Sequence, residues 1–252
     1  IIPELTGMRW DDCVKTRIFE PLGMVRSRTS TDPLPSMHNV AEAHTTIDGT
    51  VTAIPKRDLD NVAPAGSIYS SVAEMANWLR LQLGHGTFEG QRLLSADVLE
   101  EMHTPQTIIP MTEWLSSSSP VNHQMVPESH FFIYGMGWFL QDYRGKKLVH
   151  HGGSIDGMRA LIGMVPEENL GVAILTNLNP SSIDEALMFS IFDHYLGGPE
   201  RDWSKEVLAG LTALREKAAI ARRERETARV EDTSPSLSIE EYVGAYADSA
   251  YG

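Results

Sequence analysis

In the stretch WDDCVKTRIFEPLG, Trp10, Val14 and Ile18 recur every four residues. That spacing puts them on one face of a helix, with Asp11 and Asp12 in its first turn and Pro21 at its end. Ser71 to Glu74 spells S-x-x-E, a capping box opening a helix whose apolar face is Met75, Trp78, Leu79 and Leu83. Gly84 and Gly86 stop it. Ser95 predicts the cap of a shorter helix, ADVLEEM. Between these helices the periodicity is weak. Asp48-Gly49 in IDGTV offers the positive φ angles of a tight hairpin.

After residue 130 the period changes from helix to strand. YGMGWFLQDY runs through Arg144-Gly145-Lys146 into KLVHH, and MRALIGMVP turns at Glu167-Glu168-Asn169 into GVAILTN. Short spacings between apolar runs predict an antiparallel meander. GVAILTN is apolar at both alternating sets of positions, which predicts a central strand with helices on each side. Two helices follow. The first carries Ala186, Leu187, Ile191 and Tyr195 and ends at Gly197-Gly198. The second runs from about Trp203 to Arg229, and its charged latter half reads as a solvated spacer. The fold class is therefore α+β: an antiparallel sheet with helices on both faces.

Residues 104–130 are rich in Ser, Pro, Met and His and predict an irregular insertion, either a lid shaping substrate choice or a disordered loop. EDTSPSLS reads as a linker. The domain expectation is a main domain over 1–200, a helical spacer and linker over 201–238, and the start of a β-rich domain over 239–252.

Composition narrows the function classes. The 252 residues are 42% hydrophobic and carry a formal net charge of −13. That charge disfavours nucleic acid and anionic membrane surfaces as partners. There is no apolar run of about 18 residues, so no membrane span is expected. The one cysteine, Cys13, reads as a buried, inert thiol in the first helix. Nine histidines are present, but there is no H-E-x-x-H pair, and seven are scattered over loops and helices. No metal or organic cofactor is implied. Oligomeric state and localisation are not encoded in these patterns; export of a longer parent chain is compatible with them.

The candidate chemistry lies in LVHHGGSIDG, residues 148–157. Acyl transfer needs backbone N–H donors aimed at a developing oxyanion. Gly152 and Gly153 remove side chains that would hold a substrate away from the strand, and the Ser154 N–H becomes presentable as a donor. His151 could hydrogen-bond a substrate carboxylate or move a proton. Local chemistry alone is equally served, and more simply, by a wide turn flanked by His150 and His151.

The run HHGGSIDGMRALIGMVPEENLGVAILTN resembles the third active-site element, and the following hairpin, of serine hydrolases related to class C β-lactamases and penicillin-binding proteins. In that family the element is Lys-Thr-Gly or His-x-Gly. His151 falls at the Lys/His position, Gly152 at the middle one and Gly153 at the glycine. Ser154 follows as the residue whose N–H completes the oxyanion hole, and His150 falls one place before the motif. RIFEPLGM, NVAPAGSIYSSVAEMANWLRLQL and YGMGWFLQ are similar to other family stretches in the same order, and YVGAYADSAYG looks like the start of an appended β-rich domain.

The resemblance implies a β-lactamase/transpeptidase-like fold, incomplete at the N-terminus, and an acyl-enzyme mechanism on an ester, amide, β-lactam or D-amino-acid peptide. Its substrate is thus a small molecule or peptide. The family's nucleophile sits in S-x-x-K and its second element is Y-x-N; no serine here has Lys three residues on, and no tyrosine has Asn two residues on. The expectation is a segment of a longer enzyme, inactive alone. The rivals are a non-catalytic binding or scaffold module, a metal hydrolase, and a nucleophile-elbow hydrolase. The last needs G-x-S-x-G, and GGSID has Asp156 in place of the final glycine.

Overall fold

The computed structural model describes residues 1–110 and 129–249. It divides into two compact units, Ile1–Leu211 and Thr212–Gly252. The lid reading of residues 104–130 falls largely outside the described residues.

The first unit is built on a six-stranded antiparallel sheet. Its strands are β5 (Thr107–Ile108), β6 (Phe132–Tyr134), β7 (Phe139–Tyr143), β8 (Lys146–Ile155), β9 (Met158–Val165) and β10 (Leu170–Thr176). They pair in sequence order, as the meander pattern predicts. Arg144 and Gly145 both have positive φ (53° and 72°), which lets two residues reverse the chain between β7 and β8. Two short hairpins flank the sheet: β1 (Ala43–Ile47) with β2 (Thr50–Ile54), and β3 (Thr87–Phe88) with β4 (Gln91–Arg92). Asp48 and Gly49 supply the positive φ angles of the first.

Helices cover both faces of the sheet. α3 (Val72–Leu83) follows α1 (Ile2–Thr6) and α2 (Trp10–Val14), and α4 (Ala96–Met102) precedes the sheet. α5 (Ile183–Leu196) and α6 (Trp203–Thr227) come after it. Leu79 of α3 packs with Trp138, Leu140, Val149 and Met164 on one face. Met188, Phe189 and Phe192 of α5, with Trp203, pack with Tyr143, Leu148, Leu161 and Ile174 on the other. Leu148 and Val149 are adjacent, fully buried and in different clusters, because successive strand side chains alternate faces.

Several expectations are corrected. Among the described residues β10 is not central: it is the outer strand next to β9. Its apolar residues on both faces reflect cover rather than position, since Gly171 meets Leu79 and Leu83 of α3 while Ile174 packs with the α5 cluster. On α5 the inward face is Ala186, Met188, Phe189 and Phe192, whereas Leu187 and Tyr195 are exposed. Cys13 is half-buried rather than buried. The Ser71 hydroxyl accepts the Glu74 N–H at 3.4 Å, but the Glu74 carboxylate does not return to the cap. It accepts instead from the Arg26 N–H (2.8 Å) and the Ser27 hydroxyl (2.7 Å), tying α3 to the loop that follows α2.

Two buried carboxylates fasten α5. Asp193 accepts from the Tyr143 hydroxyl at 2.5 Å, the Trp203 indole N–H at 2.7 Å and Arg144 Nε at 3.0 Å. Asp184 is fully buried and receives the Arg159 guanidinium through Nε (3.1 Å) and Nη2 (3.0 Å). Both charges are paired and hydrogen-bonded, the condition under which burial is tolerated.

The second unit comprises the charged continuation of α6 to Thr227, an irregular stretch, and a 3-10 turn at Ile239–Tyr242 closed by a Ser238–Glu241 capping box. Its described residues contain no strand.

Candidate active site

His150, His151, Gly152, Gly153 and Ser154 all lie on β8. This strand is interior, third from the β10 side, and not the sheet edge that the chemistry calls for. Length resolves the conflict. β8 has ten residues and β7 five, and their pairing stops at Phe139↔His150. Pairing with β9 continues through His151, Gly152, Gly153 and Ser154 to Ile155↔Met158. From His151 onward β8 is therefore a local edge.

The hairpin fixes which backbone groups face that edge. Ile155 and Met158 close a two-residue turn and must be a hydrogen-bonded pair, and such pairs alternate along an antiparallel ladder. Gly153 and His151 bond to β9. Gly152 and Ser154 turn their N–H and C=O groups away from it, toward the side that β7 has vacated. Gly152, Gly153 and Ser154 are all exposed.

Neither glycine is demanded by its surroundings. Neither has a positive φ. A Cβ on Gly152 would meet the Ala160 oxygen and Leu161 Cδ1 at 3.5 Å, and one on Gly153 would meet Ala160 Cβ at 4.0 Å, all ordinary contacts. Gly157 at the hairpin tip is different. Its φ is +73°, and a Cβ there would lie 2.6 Å from the His44 nitrogen and 2.7 Å from Ala43 Cβ. That close approach docks the tip on β1, where the His44 N–H donates to the Gly157 oxygen at 3.2 Å. An Arg57–Asp156 ion pair (2.8 Å) flanks the same tip.

The two imidazoles have different surroundings. His150 is hydrogen-bonded through Nε2 to Gln141 Oε1 at 3.1 Å and lies against Phe132 and Phe139. Burial, with a smaller contribution from His151, pushes its pKa down to about 3, so it is neutral at physiological pH. His151 is half-buried. It lies one register place beyond the end of β7, and its ring stacks on Phe139 with centroids 5.3 Å apart. Its Nε2 is 3.2 Å from the Tyr134 hydroxyl. Burial lowers its pKa, and a hydrogen bond with the Gly152 backbone partly opposes that.

Tyr134 and Phe139 thus belong to the site, although sequence reading did not single them out. Tyr134 sits 17 residues from His151, and only the β6–β7–β8 register brings them together. The available signal was YGMGWF, an aromatic strand ahead of the His-Gly strand. The other histidines do not converge on this site. His103 is buried against Trp138, and His130 pairs with Asp142 at 2.7 Å. His44 contacts the Glu42 carbonyl and Asn177, and His123 lies outside the described residues. Among the described residues no cluster of three His, Cys, Asp or Glu side chains could hold a metal ion.

The β-lactamase family profile matches residues 1–193. The chain belongs to the β-lactamase family. It is 25% identical to an unguisins hydrolase of Aspergillus violaceofuscus, an alignment that covers 100% of this chain and 46% of the relative. It is 28% identical to penicillin-binding protein 4 of Amycolatopsis lactamdurans, over 70% of this chain and 44% of that one. This β-lactamase-family chain therefore spans less than half the length of these relatives. Among solved structures, the octameric penicillin-binding protein homologue from Pyrococcus abyssi superposes with a TM-score of 0.63 at 24% identity, covering 78% of this chain and 40% of that one. A D-stereospecific amidohydrolase from Streptomyces sp. superposes at 0.56 with 20% identity, over 79% and 52%. At those identities the likeness speaks for the fold: a β-lactamase/transpeptidase-like arrangement of antiparallel sheet and helices.

Proposed function

We propose that this chain is the part of a serine hydrolase that carries the His-x-Gly strand and one oxyanion-hole donor. The observation that carries the reading is the local edge of β8. Two glycines with no steric or conformational reason of their own leave exposed backbone there, and the Ser154 N–H points outward beside it. An acyl carbonyl laid along that edge would meet the Ser154 N–H as its charge develops, the type of interaction that lowers acyl-transfer barriers most. Gly152 and Gly153 allow its approach. His151, kept neutral at physiological pH by burial, contacts the substrate and takes part in proton handling.

The nucleophilic serine and its lysine, and the tyrosine of the second family element, lie outside these 252 residues, so the chain alone is inactive. The substrate is an ester, amide, β-lactam or D-amino-acid peptide.

Labelling of the full-length protein by a fluorescent penicillin or a fluorophosphonate tests this reading. A covalent adduct on a serine upstream of Ile1 is the expected result. A folded full-length protein that takes neither label would instead be a binding module.

A further inference from the structure

Tyr134 has no role in the reading above, yet its hydroxyl is the polar group at Nε2 of His151, 3.2 Å away. The contact is built rather than incidental. Tyr134 pairs with Phe139 across β6 and β7, and the two rings meet edge to face at 4.8 Å. Phe139 in turn stacks on His151. Tyr134, Phe139 and His151 thus form one aromatic step that ends where β8 becomes an open edge.

A neutral imidazole has one N–H and one lone pair, so each nitrogen's partner decides the tautomer. The hydrogen bond between the ring and the Gly152 backbone favours the protonated imidazole, the sign of a ring N–H donated to a carbonyl. The Gly152 carbonyl points toward the open edge, where the ring lies. With the ring proton directed at Gly152, the remaining nitrogen is an acceptor, and the Tyr134 O–H is the donor that meets it.

We infer that Tyr134 is a positioning residue for the hydrolytic edge: its hydroxyl donates to Nε2 of His151, holds the imidazole as the Nδ1–H tautomer, and so fixes the ring beside the exposed Gly152–Ser154 backbone. The inference rests on the hydrolase reading for its purpose, but the tautomer can be measured without turnover. Among the described residues the His151 ring meets Tyr134, Phe139 and the Gly152 backbone, with the neutral His150 imidazole as its titratable neighbour.

The test is Tyr134→Phe in the full-length protein, which keeps the ring on Phe139 and deletes only the hydroxyl. Long-range proton–nitrogen NMR of histidine-labelled protein reads the tautomer and the titration of His151. In the wild type the Nδ1–H form is expected. In Tyr134→Phe that form loses its dominance and the His151 pKa rises toward the ordinary histidine value, because the lost donor stabilised the neutral ring. The kcat falls about tenfold or more, as a displaced catalytic group does, while KM changes less than about threefold and the melting temperature holds. An Nε2–H wild type, or a variant with unchanged tautomer and titration, overturns the assignment. If the wild type carries the Nδ1–H tautomer but takes no acyl label, the hydrolase reading fails and the Tyr134–His151 pairing stands.

Discussion

Phe139 pairs with His150, and β7 has no residue left to pair beyond it. That single register fact turns an interior strand into an edge at Gly152, Gly153 and Ser154. It also separates the two adjacent histidines: His150 lies against Phe132 and bonds to Gln141, and His151 lies over the strand end within reach of Tyr134.

If Gly152 and Gly153 serve access, stability and activity should come apart on substitution. Gly153→Ala places a methyl 4.0 Å from Ala160 in an ordinary backbone conformation. Its unfolding free energy should stay within about 1 kcal/mol of wild type, since removing a strand glycine also restricts the unfolded chain. Turnover by the full-length protein should fall at least about tenfold. Urea melts beside rate measurements check this, and an unchanged rate removes the access argument.

Gly157 should behave in the opposite way. Gly157→Ala forces a side chain into a left-handed conformation and against the β1 backbone at 2.6 Å. Destabilisation of about 1–3 kcal/mol is expected. Amide exchange should show the loss first at the β8–β9 tip and at Ala43–His44.

Asp193 collects a phenol, an indole and a guanidinium at one buried carboxylate. Asp193→Ala leaves those donors unmatched and should cost about 3–5 kcal/mol. Replacing Tyr143 by Phe removes one donor and keeps the charge paired with Arg144 and Trp203, so its cost should be nearer 1 kcal/mol. Equal effects of the two changes in denaturant titrations would contradict this ordering.

His103 lies against Trp138 with Nε2 unpartnered, and burial pushes its pKa down to about 4, helped by Lys147 and His85. His150 is held lower still, at about 3. Each folded-state pKa lies below the unfolded value, so below pH ~6.5 the unfolded chain binds more protons. The stability that these groups contribute is complete above that pH and is lost as pH falls toward 4 and then 3. The slope approaches about 1.4 kcal/mol per pH unit for each group. Urea midpoints at a series of pH values should show it, and His103→Gln should make the decline between pH 6.5 and 4 shallower.

His151→Ala in the full-length protein should lower turnover by about a hundredfold if the imidazole takes part in proton transfer. His150→Ala should act on stability instead, because that ring touches Gln141 and Phe139 and not the open edge. A rate assay beside a thermal melt separates the two histidines, and an unaffected rate in His151→Ala removes its catalytic role.

Local pattern determined much of this protein by itself. The capping serines, the Asp48-Gly49 and Arg144-Gly145 turns and the antiparallel meander follow from side-chain periodicity and turn stereochemistry, which act over a few residues. The ordered motifs around His151 likewise point to the β-lactamase family. Tertiary structure decided the rest. A doubly apolar strand such as β10 cannot declare whether it is central or outermost, because cover by α3 and α5 asks the same residues of either. Glu74 could have closed its own cap, and the loop at Arg26 and Ser27 took its carboxylate instead. Nothing local to HHGGS states that β7 stops at Phe139 or that Tyr134 arrives at His151. Those depend on the relative lengths and register of strands, which only the assembled sheet sets.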